Sequence, residues 1–129
     1  MALSSLIVDD NAGYLAAARA LLEREGVDVV GVASSCAEAV RLAGKLQPDV
    51  ALVDIDLGDE SGFDVARRLA GAGGSALSRV VLISAYPEGD FAELIAASPA
   101  VGFLAKSSVS AESIRELLRS GPDGDQDRG

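Results

Sequence analysis

Val50-Ala51-Leu52-Val53-Asp54 is an unbroken aliphatic run closed by one carboxylate. A strand with one wet face alternates apolar and polar residues; this run does not, so the strand it forms is covered on both sides. Similar runs lie on either side of it, Leu6 to Val8 and Val27 to Val32 before, Val80 to Ile83 and Val101 to Leu104 after. Each has strand length and is rich in β-branched residues. Between the runs, apolar residues fall at helical spacing: Leu15, Ala18, Leu21 and Leu22; Ala39, Val40 and Ala43; Val65, Ala66, Leu69 and Ala70; more weakly Leu94, Ile95 and Ala97; and last Ile114, Leu117 and Leu118. Ser35 with Glu38 and Ser61 with Asp64 have the spacing of capping boxes, Asn11 and Ser110 can cap other helices, and Pro48 stops the second one. The order is (βα)₅, an α/β fold in which a five-stranded parallel sheet is covered by helices on both faces. Right-handed crossovers make it doubly wound.

The chain's 129 residues suffice for one core and are too few for a second of similar weight. Residues 1–120 therefore read as one domain, and the polar stretch 121–129, which has no apolar periodicity, as a disordered acidic tail. Gly71, Gly73 and Gly74 mark a flexible connection before the fourth strand; no Lys follows them, so they are not a phosphate-binding loop. Hydrophobic residues make up 49% of the chain but aromatic ones only 4%, which predicts an aliphatic core. A net charge of −9 argues against direct nucleic-acid binding and against an anionic membrane surface. The chain has no His, which removes imidazole bases and most zinc sites. Cys36 is alone and is expected to be a small buried residue in a reducing compartment. No apolar run approaches the roughly 20 residues that span a bilayer, and the first residues lack a basic leader, so a cytoplasmic protein is expected.

Ligands of open parallel sheets bind beyond the carboxyl ends of the strands. At that edge the first strand ends on Asp9 and Asp10, the third on Asp54 and the fourth on Ser84, and Lys106 lies just past the fifth. Any one of these is an ordinary strand-end residue, a helix cap or a solvated charge. Their convergence on one edge is not. Clustered carboxylates raise one another's pKa unless a cation neutralises them. Mg²⁺ suits the set, because it takes one or two carboxylates and completes its shell with water and phosphate oxygen. Asp54, on the central strand, is then the expected nucleophile toward a phosphoryl group, with Lys106 and Ser84 contacting the phosphoryl oxygens.

On these residues the chain resembles the response-regulator receiver family of two-component signalling, over about residues 3 to 120. The match comprises the pair Asp9-Asp10, Asp54 in Leu-Val-Asp-Ile-Asp-Leu, Ser84 followed by small Ala85, and Lys106 in Gly-Phe-Leu-Ala-Lys. The separations, 44 residues from Asp10 to Asp54, 30 on to Ser84 and 22 on to Lys106, agree as well. The resemblance implies a flavodoxin-like sheet of order 2-1-3-4-5 and phosphorylation of Asp54 by a histidine kinase or phosphotransfer protein. It also implies Mg²⁺ held directly by Asp10 and Asp54, through water by Asp9, and by the backbone carbonyl of Asp56. Ser84 would move toward the phosphoryl group while Phe103 turns inward as a switch. The surface of helix 4, strand 5 and helix 5 would then engage a downstream protein or a second copy as a homodimer.

The sequence departs from the family's pattern in places. Where the family commonly has Pro four residues after the acceptor and Pro after the lysine, this chain has Gly58 and Ser107. Gly58 is expected to loosen the loop, and Ser107 makes a cis peptide there improbable. Phe103 lacks the hydroxyl of the commoner tyrosine, so a switch through it rests on packing. Tyr86 could overhang the phosphoryl group, exclude water and slow its loss. Two other readings compete: a haloacid-dehalogenase-type phosphohydrolase using Asp54-Ile55-Asp56, for which the chain has no room for a lid domain, and a pseudo-receiver that binds without being phosphorylated. The protein is not expected to be an enzyme beyond catalysing its own phosphorylation and dephosphorylation.

Overall fold

A computed structural model gives the chain over residues 3–71, 79–86 and 88–120. The proposed tail at 121–129 and the connection at Gly73 and Gly74 lie outside the described residues. Elements follow in the order β1 (Ser4–Val8), α1 (Ala12–Arg24), β2 (Asp28–Ala33), α2 (Cys36–Leu46), β3 (Val50–Asp54), β4 (Asp56–Leu57), β5 (Glu60–Ser61), α3 (Gly62–Gly71), β6 (Arg79–Ser84), α4 (Ala92–Ala97), β7 (Gly102–Ala105) and α5 (Ala111–Ser120). The main sheet runs β2-β1-β3-β6-β7 with every neighbouring pair parallel. Counted by its own strands this is the order 2-1-3-4-5, so the chain has a CheY-like, flavodoxin-type α/β fold.

Period-two alternation divides the aliphatic runs between two cores. Ala51 and Val53 of β3 join Leu6, Val8, Val80 and Leu82 on the face covered by Ala39 and Ala43 of α2 and by Val65, Ala66 and Leu69 of α3. Val50 and Leu52 join Ile7, Val81 and Ile83 on the other face, against Ala18 and Leu22 of α1 and Ile114 and Leu118 of α5. Every residue of β3 is buried, which is why its sequence shows no alternation of polarity. Phe103 of β7 is half-buried against the first of these cores.

The caps follow the sequence in part. Asn11 accepts from Tyr14 N at 3.0 Å, Ser35 from Glu38 N at 3.2 Å and Ser110 from Ser113 N at 3.0 Å. Glu38 does not close its box on Ser35; its carboxylate takes Ser34 N at 3.1 Å. Ser61 accepts from Phe63 N, and Asp64 turns away to pair with Arg67, so the second expected box does not form. Gln47, in the left-handed conformation at φ 50°, ends α2 just before Pro48. Cys36, expected to be buried, is half-buried, because it opens α2 at the sheet's edge and gives its N–H to Glu60 Oε1 at 2.7 Å. Among the described residues no peptide bond is cis, and no helix is long and apolar enough to cross a membrane.

Candidate functional site

The parallel strands deliver their final residues to one edge of the sheet. Asp9, anchored by its N–H to Ala33 O at 2.9 Å, is fully buried, while Asp10 beside it is exposed. Asp54 ends β3 with only 6% of its surface exposed. The carboxylates of Asp9, Asp10 and Asp54 each place an oxygen within 4.8 Å of the others. Lys106, directly after β7, brings Nζ to 2.6 Å from Asp9 Oδ2 and 3.1 Å from Asp54 Oδ2.

One ammonium thus serves two buried carboxylates, with a third close by. Burial pushes the Asp54 carboxyl above its ordinary value; the Asp56 N–H and Lys106 pull it back, and the charge of Asp9 pushes it further up. Burial works against the Lys106 ammonium too, but its contacts with Asp9 and Asp54 outweigh this and hold it above its usual value. The two directions have different causes: burial raises Asp54, while the carboxylate contacts raise Lys106, which faces more negative charge than one ammonium neutralises.

A small divalent cation fits that deficit. Asp9 Oδ1 accepts from Asn11 N at 2.8 Å, whereas Asp9 Oδ2, equally buried, has no well-directed hydrogen-bond donor among the described residues, and its contact with Lys106 is ionic. Mg–O bonds of about 2.1 Å put the ligand oxygens of one octahedral ion roughly 3 to 4 Å apart, a spacing that carboxylate oxygens already within 4.8 Å reach with little movement.

The loop after Asp54 folds into regular structure. Asp56–Leu57 pairs antiparallel with Glu60–Ser61, a small hairpin that the sequence reading did not anticipate. Gly58, expected to loosen the loop, forms its corner at φ +75° and donates to Asp56 Oδ1 at 3.1 Å. Proline, fixed near φ −65°, cannot take that corner, which accounts for glycine at this position. Behind the hairpin Gly62 N donates to Ile55 O at 2.9 Å, and Gly62 packs directly on the backbone at the end of β3: a Cβ there would stand 2.6 Å from Ile55 Cα.

Tyr86 is 56% exposed, with its ring centroid 6.5 Å from that of Phe91. It lines a cleft of about 240 Å³ together with Asp10, Asp54, Asp56 and Lys106. Ser84 and Phe103 are not among the residues lining that cleft; Ser84 is buried and its Oγ accepts from Tyr86 N at 2.9 Å.

Tyr14 was not anticipated. Its ring lies under Lys106, with Nζ 4.7 Å from the centroid, and its hydroxyl donates to Lys106 O at 3.3 Å. Burial pushes its phenol up to about 12. The only hint in the sequence is its place three residues after the Asn11 cap; Lys106, its contact, lies 92 residues further along.

Residues 5–119 match the response regulator receiver domain family. A Pseudomonas aeruginosa protein that carries the name of a transcriptional regulator is 34% identical over 88% of this chain, which spans 52% of that protein. The chain spans about half the length of the curated relatives it matches. The signal receiver domain of a modulated diguanylate cyclase from Desulfovibrio desulfuricans is 32% identical, with a TM-score of 0.77 over the whole of both chains. A response regulator of Burkholderia pseudomallei, solved with a phosphorylated aspartic acid, a calcium ion and citrate, is 28% identical with a TM-score of 0.76, covering 98% of this chain and 72% of that one. Fold, edge chemistry and matched length agree: the chain belongs to the response regulator receiver domain family.

Proposed function

We propose that this receiver domain accepts a phosphoryl group on Asp54 in a Mg²⁺-dependent reaction and signals through protein contacts. The observation that carries the reading is the charge deficit at the sheet edge, where, among the described residues, Lys106 alone faces buried Asp9 and Asp54 with Asp10 beside them. The phosphorylated aspartic acid and divalent cation of the Burkholderia relative are in keeping with it. Asp10, Asp54 and the Asp56 backbone carbonyl would hold Mg²⁺ directly and Asp9 through water. When bound, the ion neutralises the carboxylates and draws negative charge from the phosphoryl oxygens.

The chain's own residues supply the rest. Asp54 Oδ forms the new P–O bond while the bond from phosphorus to the donor breaks in line with it. Oδ1 is steered by the Asp56 N–H at 3.1 Å, which leaves Oδ2 on the side of Lys106. Lys106 then pairs with phosphoryl oxygen, since its donors already point at Asp54. Ser84 would have to give up the Tyr86 N–H to reach the phosphoryl group, and this movement would carry Phe103 inward. The donor is a histidine kinase or phosphotransfer protein, and the output is a downstream protein or a second copy meeting α4, β7 and α5. Transcriptional control, which relatives' names suggest, would belong to a longer protein containing this domain.

Incubation with acetyl phosphate and Mg²⁺, followed by intact mass, tests the reading. One phosphoryl group per chain is expected, with no catalytic turnover of phosphate esters. A parent protein that takes up no phosphoryl group ends this reading, and sustained turnover would favour a phosphohydrolase. Tyr86 lines the cleft beside Asp54, where its ring would exclude water, so Tyr86→Ala is expected to lose phosphate faster than the parent. Loss at the parent rate would free Tyr86 of that role.

A further inference from the structure

We propose that Tyr14 is the positioning residue of Lys106, holding the ammonium beside Asp54 through its ring and its hydroxyl; the role rests on the phosphoacceptor reading above. The lysine is gripped at both ends. Its Nζ stands 4.7 Å from the ring centroid, inside cation–π range, and its own carbonyl accepts the Tyr14 hydroxyl at 3.3 Å.

The tyrosine is itself fixed from the acidic pair. Asp9 Oδ1 accepts from Asn11 N at 2.8 Å, and Asn11 caps α1 by accepting from Tyr14 N at 3.0 Å. Two consecutive hydrogen bonds therefore set the start of α1 against Asp9. Because Tyr14 sits in the first turn, that register puts its ring beneath Lys106.

Tyr14 has work that the carboxylates do not do. The other groups holding Nζ are Asp9 Oδ2 at 2.6 Å and Asp54 Oδ2 at 3.1 Å, and both residues would be engaged by the divalent ion. A neutral ring is no ligand for a hard cation, so its grip on the ammonium survives when the carboxylate oxygens are engaged elsewhere. Lys106 then stays aimed at Asp54 instead of relaxing toward solvent. The ring also borders an open cleft lined by Ala17, Leu21, Lys106 and Val109, so shortening the side chain widens that cleft and leaves no sealed void in the core.

The test has kinetic and spectroscopic arms. With acetyl phosphate and Mg²⁺, Tyr14→Leu is expected to be phosphorylated about five- to tenfold more slowly than the parent, and Tyr14→Phe, which keeps the ring, to stay within about twofold. In a Lys106→Met background Tyr14→Leu should slow the reaction no further. By NMR in saturating Mg²⁺, the Lys106 ε-methylene signal should lie upfield in the parent and in Tyr14→Phe, shifted by the ring, and move downfield in Tyr14→Leu. Parental rates in Tyr14→Leu, equal slowing in both backgrounds, or an unshifted Lys106 signal in the parent would each overturn the role. A parent that takes no phosphoryl group would instead sink the phosphoacceptor reading, and the NMR arm would still decide whether the ring holds the lysine.

Discussion

Asp54→Asn is expected to abolish phosphorylation by acetyl phosphate and, in the absence of divalent cation, to make the protein more stable at neutral pH. The first effect follows because the amide nitrogen that replaces one carboxylate oxygen is no nucleophile for phosphorus and no ligand for Mg²⁺. The second follows from burial. Asp54 has 6% of its surface exposed and a carboxyl raised by desolvation, so its charged form is less comfortable in the folded protein than in the unfolded chain. The folded state therefore keeps the Asp54 proton to a higher pH than the unfolded state does. Stability from this group is fully present below the ordinary value of 3.8 and is lost as pH rises through the raised folded value.

The variant has no such loss. Urea denaturation at neutral pH should show a gain on the scale of about 1 kcal/mol, because Lys106 keeps Asp9 at 2.6 Å while one crowded charge is gone. The gain should shrink as pH falls toward the ordinary carboxylate range. Adding Mg²⁺ should stabilise the parent more than the variant, by about 1.4 kcal/mol when free Mg²⁺ is ten times its dissociation constant, which is enough to close a gap of about 1 kcal/mol at neutral pH and reverse its sign. A variant less stable than the parent at neutral pH without Mg²⁺ would show that the Lys106 pair outweighs the cost of burial, and the charge deficit argued for this edge would be wrong.

The parts of this site that the sequence shows are those fixed by strand ends. A strand of known polarity puts its last residue at the sheet's carboxyl edge whatever the rest of the chain does, so Asp9, Asp54, Ser84 and Lys106 could be placed together from their runs alone. What separates Asp9 from Asp10 could not. They are neighbours of the same type, and only the packed structure buries one completely and leaves the other in solvent. The hairpin did leave a signal, since Gly58-Asp59 is a two-residue turn pair. Its strands are two residues each, too short for alternation to show. The second capping box failed for a related reason: α3 begins at Gly62, pressed against the acceptor strand, and Ser61 serves Phe63 N instead of Asp64. Tyr14 was invisible because its partner is a lysine at the far end of the chain, and contacts of that kind are set by helix register on the sheet.

Gly62→Ala is expected to cost about 3 kcal/mol or more, at the upper end for one added methyl, because the methyl has nowhere to go. A Cβ on Gly62 would overlap the carbonyl oxygen of Asp54 and stand 2.6 Å from Ile55 Cα and 2.7 Å from Asp54 C, all of them backbone atoms that no rotamer change can move. To admit it, the first turn of α3 must withdraw from β3, which breaks the Gly62 N to Ile55 O bond at 2.9 Å and pulls buried Phe63 away from its core. The acceptor loop would move with it, so the fraction that still folds should also be phosphorylated more slowly. Gly44→Ala supplies the control. That glycine lies exposed within α2 with nothing inside 4 Å of a Cβ, so the same added methyl should raise stability by about 0.5–1 kcal/mol through helix propensity alone. Denaturant midpoints moving in opposite directions for the two variants would locate the tight contact at the base of the acceptor loop. A Gly62→Ala protein as stable as the parent would mean that α3 does not press on the strand carrying Asp54.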